Sequence, residues 1–313
     1  MRHLRLVPAD TRIRFVERRA ICFVLSALLV AASVALFTFK GLNYGIDFKG
    51  GILLDVRTEG SADLAGLRRT LGGLGLGEVS LQEFGAPDNV LIRIQQQPGG
   101  EEAQLAAVAR VKEVLGTGIE YRRTEFVGPK VSAELFWDGI YAVTAAILAI
   151  LVYIWFRFEW QFGLAAVVAL THDVLATIGI FSLIGLEFNL STVAAVLTIA
   201  GYSINDTVVV FDRVRENLRK YKKMPLGELL DLSINQTLSR TLMTSVTTLL
   251  ALGALYVLGG EVIRGFAFGM IWGVVIGTYS TVFVAVPLLL YLNVRRGVIA
   301  ADAAAEAAGG PGS

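Results

Sequence analysis

The sequence holds one cysteine, Cys22, and two histidines, His3 and His172, in 313 residues. A lone cysteine excludes a disulfide framework within the chain and a cysteine-built zinc site. Two histidines this far apart argue against a histidine-rich centre, so no metal site is expected. No G-x-x-x-x-G-K-[ST] run occurs, which argues against a phosphate-loop ATPase. Charge is also scarce, at 18% of residues with a net value of +1, where soluble domains carry about 25%. With no basic or acidic excess, nucleic acid is not expected as a partner. What is abundant is apolar: 54% of residues are hydrophobic and the mean hydropathy is +0.61. The balance points to lipid.

A helix crossing about 30 Å of hydrocarbon needs about 20 mostly apolar residues. Six runs qualify: 20–39, 135–156, 162–186, 190–211, 238–258 and 265–292. The first contains Ser33-Val34-Ala35, which has the spacing of a signal-peptidase site. A signal core is only about 7–15 residues, however, and this run continues past the tripeptide. It reads as an uncleaved anchor. Lys and Arg set the direction. They crowd the N-terminal tail 1–19 (Arg2, Arg5, Arg12, Arg14, Arg18, Arg19), the loop at Arg157, the connection 212–235 and the C-terminal Arg295 and Arg296. With six spans all of these fall on one side, so both termini are expected in the cytoplasm. In the connection 212–235, Arg213, Arg215, Arg219, Lys220, Lys222 and Lys223 suit anionic lipid headgroups, although topology alone accounts for their charge. The tail 293–313 is expected to be cytoplasmic and largely disordered, being Ala- and Gly-rich from residue 300.

Residues 41–130 form a soluble insert, placed outside the cytoplasm by the same topology. Its periodicity predicts a strand at 52–57, a helix capped by Ser61 or Asp63 and ending near Leu71, and a strand at 79–84 whose spacing slips before Phe84. A turn at Pro87-Asp88-Asn89, a strand at 90–95, a helix over 101–115 with Leu105, Val108, Val111 and Leu115 inward, and a last strand from Ile119 follow. The order β-α-β-β-α-β is the split βαβ or ferredoxin-like plan. The fold class expected is therefore a polytopic α-helical membrane protein: six transmembrane helices with a ferredoxin-like α+β domain between helices 1 and 2.

Three stretches carry a family resemblance. Tyr44-Gly45-Ile46-Asp47-Phe48-Lys49-Gly50-Gly51 follows the first span. Thr171-His172-Asp173 lies in the third. The fourth span contains Gly201-Tyr202-Ser203-Ile204-Asn205-Asp206-Thr207-Val208-Val209-Val210-Phe211-Asp212-Arg213-Val214-Arg215-Glu216-Asn217. Together they resemble the SecF family of the Sec protein-export machinery, from the first span to Arg296. The resemblance implies an architecture like half of a resistance–nodulation–division transporter, working with SecD beside the SecYEG channel. It implies use of the proton gradient to complete preprotein translocation after the ATP-driven motor SecA, in the bacterial inner membrane. It implies no cofactor beyond the proton as coupling ion and no catalytic site of its own.

An ionisable residue inside a span is expensive and is a functional candidate by default. Asp206 is that residue; the competing reading is a carboxylate near enough the cytoplasmic end to reach headgroups. Arg240, entering span 5 from the same side, is its natural partner, within an expected polar stripe of Thr237, Arg240, Thr244 and Thr248. The resemblance implies that Asp206 and Arg240 form the proton relay, with Thr244 in support. Asn205 and Tyr202 extend the path or act as interhelical glue. His172 and Asp173 are a relay or a structural lock; as neighbours on a helix they need not touch. Asp47, Gly50 and Gly51 suggest a hinge or docking point where the first span meets the insert. Gly265, Gly269, Gly273 and Gly277 form a small-residue ridge for a helix of this chain or of SecD. Two rival functions stand beside the export subunit. One is half of a proton-driven small-molecule exporter, which usually has a larger outer domain. The other is a passive scaffold, which needs no buried charge.

Overall fold

The computed structural model describes residues 11–116, 118–292 and 294, apart from the side chains of 261 and 262. Arg2, His3, Arg5, Arg295, Arg296 and the Ala/Gly tail fall outside them. Two compact units are distinguished. One comprises 43–142 with 187–193, and the other the described residues of 1–42, 143–186 and 194–313.

In the smaller unit, β1 (Asn43–Tyr44) and the short α2 (Ile46–Lys49) lead into β2 (Gly51–Thr58). Then come α3 (Leu64–Gly72), β3 (Val79–Phe84), β4 (Ala86–Ile94), α4 (Gly100–Leu115), β5 (Ile119–Val127) and the start of α5 (Pro129–Arg157). The four longer strands pair antiparallel in the order β3-β4-β2-β5. Ile52, Leu54 and Val56 alternate along β2 and are fully buried with Val90, Ile92, Leu71 and Val111. On the opposite face Leu53 packs with Ile46 and Leu91. Asp63 caps α3, its carboxylate accepting from the Gly66 amide at 2.9 Å. The slip expected before Phe84 is a register shift between Glu83 and Phe84.

Two local expectations are corrected. The β3–β4 reversal is made at Gly85, at φ +82°, not at Pro87-Asp88-Asn89, which already lie in β4. Pro87 is tolerated there because β3 pairing ends at Phe84–Ala86 and β2 pairing begins at Asn89. In α4 the inward line is Gln104, Ala107, Val108 and Val111, and Leu105 is exposed. Gln104 sits inside because its amide bonds both the backbone N–H and the carbonyl of Gln97.

The remaining elements are α1 (Arg19–Phe39), preceded by a 3-10 turn at Val16–Arg18, then α6 (Trp160–Ile184), β6 (Glu187–Phe188), α7 (Leu190–Lys220), α8 (Leu226–Leu258) and α9 (Glu261–Ser280). A π-helical turn (Thr281–Ala285) leads into α10 (Val286–Leu288). Pro287, which has no N–H to donate, accounts for the change of hydrogen-bond pattern there. β6 belongs to the smaller unit, where it pairs parallel with β1. Among the described residues six helices are long and apolar enough to cross a membrane, at the six expected places.

Three helices overrun their apolar runs. α5 starts at Pro129, α7 continues to Lys220, and α8 begins at Leu226. The connection 212–235 is therefore a helical hairpin broken only at 221–225. Apolar length tracks lipid contact, whereas these extensions are amphipathic and bury Val214, Leu218, Leu229, Leu230 and Ile234 together. Asn217 donates to Ser233 Oγ and Gln236 Oε1, both at 2.9 Å.

The glycine ridge of α9 faces α6 and α7 of the same chain. A methyl group on Gly269 would stand 3.2 Å from Phe181 and 3.4 Å from Ala195, and one on Gly277 3.1 Å from Ser203. On Gly273 it would collide with Ile199, which is β-branched and stiff in a helix. Gly265 has open space, so three of the four expected positions make the ridge. A further close approach joins α1 and α6, where a methyl on Gly179 would overlap Ser33. Gly273→Ala is expected to cost about 1–3 kcal/mol through overpacking. Gly265→Ala, with free space and better helix propensity, is expected to cost nothing. Thermal aggregation of the two variants in detergent checks this, and equal midpoints would refute the close packing.

Candidate functional site

Asp206 lies on α7, 9% exposed. Its Oδ1 accepts a hydrogen bond from Thr241 Oγ1 of α8 at 2.7 Å. Its Oδ2 is buried and has no hydrogen-bond partner. The expected ion pair with Arg240 is not formed: among the described residues no cation stands within 4.0 Å of this carboxylate, although Arg240 acts on it through space. The reason is helical phase. Successive residues differ by about 100° around a helix axis, and the buried line on α8 is Thr237, Thr241 and Ser245. That leaves Arg240 and Thr244 on the exposed side. Thr244 donates to the carbonyls of Arg240 and Thr241 at 3.2 and 2.9 Å. Asn205 is exposed and makes no side-chain hydrogen bond among the described residues. Tyr202 reaches Ser245 Oγ at 3.5 Å, and Ser245 in turn meets Thr278 of α9 at 2.8 Å.

A second buried carboxylate lies on α6. Asp173 is fully buried. His172 Nδ1 meets its Oδ1 at 2.9 Å, so the two neighbours do touch. Ser203 of α7 and Ser280 of α9 donate to its Oδ2 at 2.5 and 2.8 Å. One carboxylate thus joins three helices. His172 Nε2 is buried without a hydrogen-bond partner, and its ring centre is 6.1 Å from that of Tyr279. Tyr279 is tied to α1 through Ser26 Oγ at 3.0 Å and the Cys22 carbonyl at 3.1 Å. Ser203 and Ser280 escape a reading of the sequence because hydroxyls in apolar runs look like helix packing. The available signal was Ser203 one turn before Asp206.

In the smaller unit, Asp47 Oδ2 accepts from the Leu190 amide at 2.9 Å, and Asn189 Oδ1 from Thr192 at 3.1 Å. Both carboxamide and carboxylate oxygens satisfy amides left unpaired at the start of α7. Arg93 donates to Asn43 Oδ1 at 2.9 Å and pairs with Glu187 at 2.5 Å, bracing the β1–β6 bridge. Gly50 and Gly51 take φ of +69° and +112°, and a methyl on Gly51 would come 2.5 Å from the Ile94 carbonyl. A side chain is sterically excluded here. Among the described residues no group of three or more His, Cys, Asp and Glu is placed to hold a metal ion.

The C-terminal model of the SecD/SecF protein export membrane proteins matches residues 107–295, and the SecD/SecF GG motif matches 35–62. The protein translocase subunit SecF of Cereibacter sphaeroides is 50% identical over 303 residues, covering 94% of each chain. That of Rhodobacter capsulatus is 47% identical over 308 residues, 94% of this chain and 92% of the relative. That of Rickettsia akari is 46% identical over 297 residues, 94% and 96%. Among solved structures, SecDF from Thermus thermophilus, a translocon-associated membrane protein, superposes with a TM-score of 0.81 at 39% identity, over 90% of this chain and 39% of its own. SecDF in a super-membrane-facing form gives 0.67 at 38% identity, over 94% and 40%. The chain spans about two fifths of the length of these SecDF chains.

Removing the Asp173 carboxylate strands Ser203 and His172, while Ser280 keeps the Gly277 carbonyl at 3.1 Å as an acceptor. With about 1–3 kcal/mol per buried unpaired group, Asp173→Ala is expected to lose about 3 kcal/mol or more, while Asp173→Asn, which keeps an acceptor, loses less. Unfolding of the purified protein in detergent measures both, and an Asp173→Ala midpoint equal to the parent's would remove the inter-helix role.

Proposed function

The chain belongs to the SecF family of protein translocase subunits, and from that premise we propose that it couples proton flow to the late steps of preprotein translocation. It acts with SecD, beside the SecYEG channel, after the ATP-driven motor SecA has done its part. In this reading it is a multi-pass protein of the bacterial inner membrane with both termini cytoplasmic. The placement of Arg157, Arg213, Arg215, Arg219 and Lys220 at one end of the spans supports that orientation. The smaller unit is an extracytoplasmic ferredoxin-like domain; its β-α-β-β-α-β order and antiparallel β3-β4-β2-β5 sheet support the assignment. The coupling ion is the proton, with no other cofactor and no chemical catalytic site.

The observation that carries the reading is Asp206: a carboxylate buried within a membrane-spanning helix, one oxygen held by Thr241 and the other unpartnered. Such a group is costly to bury, which marks it as a functional candidate. Arg240, one position from the Thr241 contact, is the cation that takes part in its cycle. Asp173, saturated by His172, Ser203 and Ser280, serves as the lock that holds α6, α7 and α9 together while Asp206 changes state. A passive scaffold leaves the Asp206 carboxylate unexplained. Half of a pseudo-symmetric transporter lacks the opposite wall of its path, so the chain without SecD moves few or no protons.

Translocation of a preprotein into inverted vesicles, with and without a proton gradient, tests this. Asp206→Asn keeps size and hydrogen bonding but removes the titrating proton, so gradient stimulation is lost while the ATP-driven phase survives. Arg240→Met also abolishes stimulation, and Arg240→Lys restores it in part by returning the charge without the planar fork. Full stimulation in Asp206→Asn contradicts the proposal.

A further inference from the structure

The threonines of α8 do not behave alike. Thr237 donates to the Ser233 carbonyl at 3.0 Å, Thr244 to Arg240 and Thr241 carbonyls, and Thr247 to the Met243 carbonyl at 2.8 Å. Each returns its proton to its own helix, the ordinary habit of a threonine in an apolar environment. Thr241 does not. Its hydroxyl turns to another helix and donates to Asp206 Oδ1 at 2.7 Å. It is 1% exposed, so no water competes for the bond. Asp206 Oδ2, on the same carboxylate, is buried and has no partner. The two oxygens of one group are thereby made unequal.

We propose that Thr241 is the positioning residue of the Asp206 site, fixing Oδ1 so that Oδ2 is the oxygen that takes up and gives back the proton. The inference rests on the reading of Asp206 as the coupling group and adds a residue to it. The chemistry is a simple exchange: an O–H bond forms at Oδ2 and cancels one negative charge, and its breaking restores the carboxylate. Through both states the Thr241 donor bond to Oδ1 keeps the plane of the carboxyl group fixed. It also fixes α8 against α7 at this level, in the phase that turns Arg240 outward. Arg240 is the charged group that acts on Asp206, and it neighbours Thr241 on the same helix. A small axial rotation of α8 therefore exchanges a neutral donor for a cationic one at this carboxylate.

Two substitutions separate this role from packing because they rank in opposite order. Thr241→Val keeps the shape and loses the hydroxyl. Thr241→Ser keeps the hydroxyl and loses a methyl group. Both are compared in vesicles carrying the whole translocation complex, at matched content of the subunit, as gradient-stimulated preprotein translocation. The result expected is near-parent stimulation in Thr241→Ser and about a tenfold loss in Thr241→Val, the scale of one hydrogen bond to a charged group, with ATP-driven translocation unchanged in both. A Ser variant that does no better than the Val variant overturns the inference. Asp206→Asn run alongside keeps the two claims apart. If it loses stimulation while Thr241→Val retains it, Thr241 has no positioning role and Asp206 keeps its own. If Asp206→Asn retains stimulation, the reading of the site fails first.

Discussion

A carboxylate removed from water inside a membrane must be given donors by its neighbours, or it destabilises the helix that carries it. Two such groups organise the helical unit. Asp173 is answered in full by a histidine and two serines drawn from three helices. Asp206 is answered in half, by one threonine. Full satisfaction suits a fixed joint, and partial satisfaction suits a group that changes state. Both carboxylates make contacts through α7, which supplies Ser203 to Asp173 and carries Asp206 on its own backbone.

The close approach of backbones makes these polar contacts possible. In lipid the hydrophobic effect does not drive helices together, and packing with short polar side chains takes its place. Gly269, Gly273 and Gly277 bring α9 against Ala195, Ile199 and Ser203 of α7. That proximity is what lets Ser280 and Ser203 reach one oxygen of Asp173, and lets Thr207 meet Thr281 at 2.8 Å. Gly179 against Ser33 does the same for α1 and α6. Glycine periodicity and buried hydroxyls are thus one device, with the glycines setting the distance and the hydroxyls supplying the bonds.

Much of this is legible in the chain itself. The six apolar runs locate the six long helices, since a span of lipid imposes a length that few other structures need. The alternation at Ile52, Leu54 and Val56, and at Val90 and Ile92, marks the strands that share a core. Helix ends are not legible by the same rule, because α7 and α8 continue past the lipid as amphipathic helices whose charged faces mask them. Helical phase is the other blind spot. Arg240 and Thr241 both lie near Asp206 in sequence logic, and only the packing of α8 decides which one touches it. An argument from charge favours the arginine; the structure gives the contact to its neutral neighbour. Similarly, His172 and Asp173 look divergent as helix neighbours, yet side-chain rotation brings the imidazole and the carboxylate within 2.9 Å of one another.

The central claim is that Asp206 changes protonation state during coupling. Difference infrared spectroscopy on the whole complex in membranes, switched between the presence and absence of a proton gradient, observes this directly as the carbonyl stretch of a protonated carboxyl group. The account predicts a difference band in this region that disappears in Asp206→Asn and persists in Asp173→Asn. A band that is unchanged in Asp206→Asn, or a gradient response with no carboxyl band at all, would contradict it.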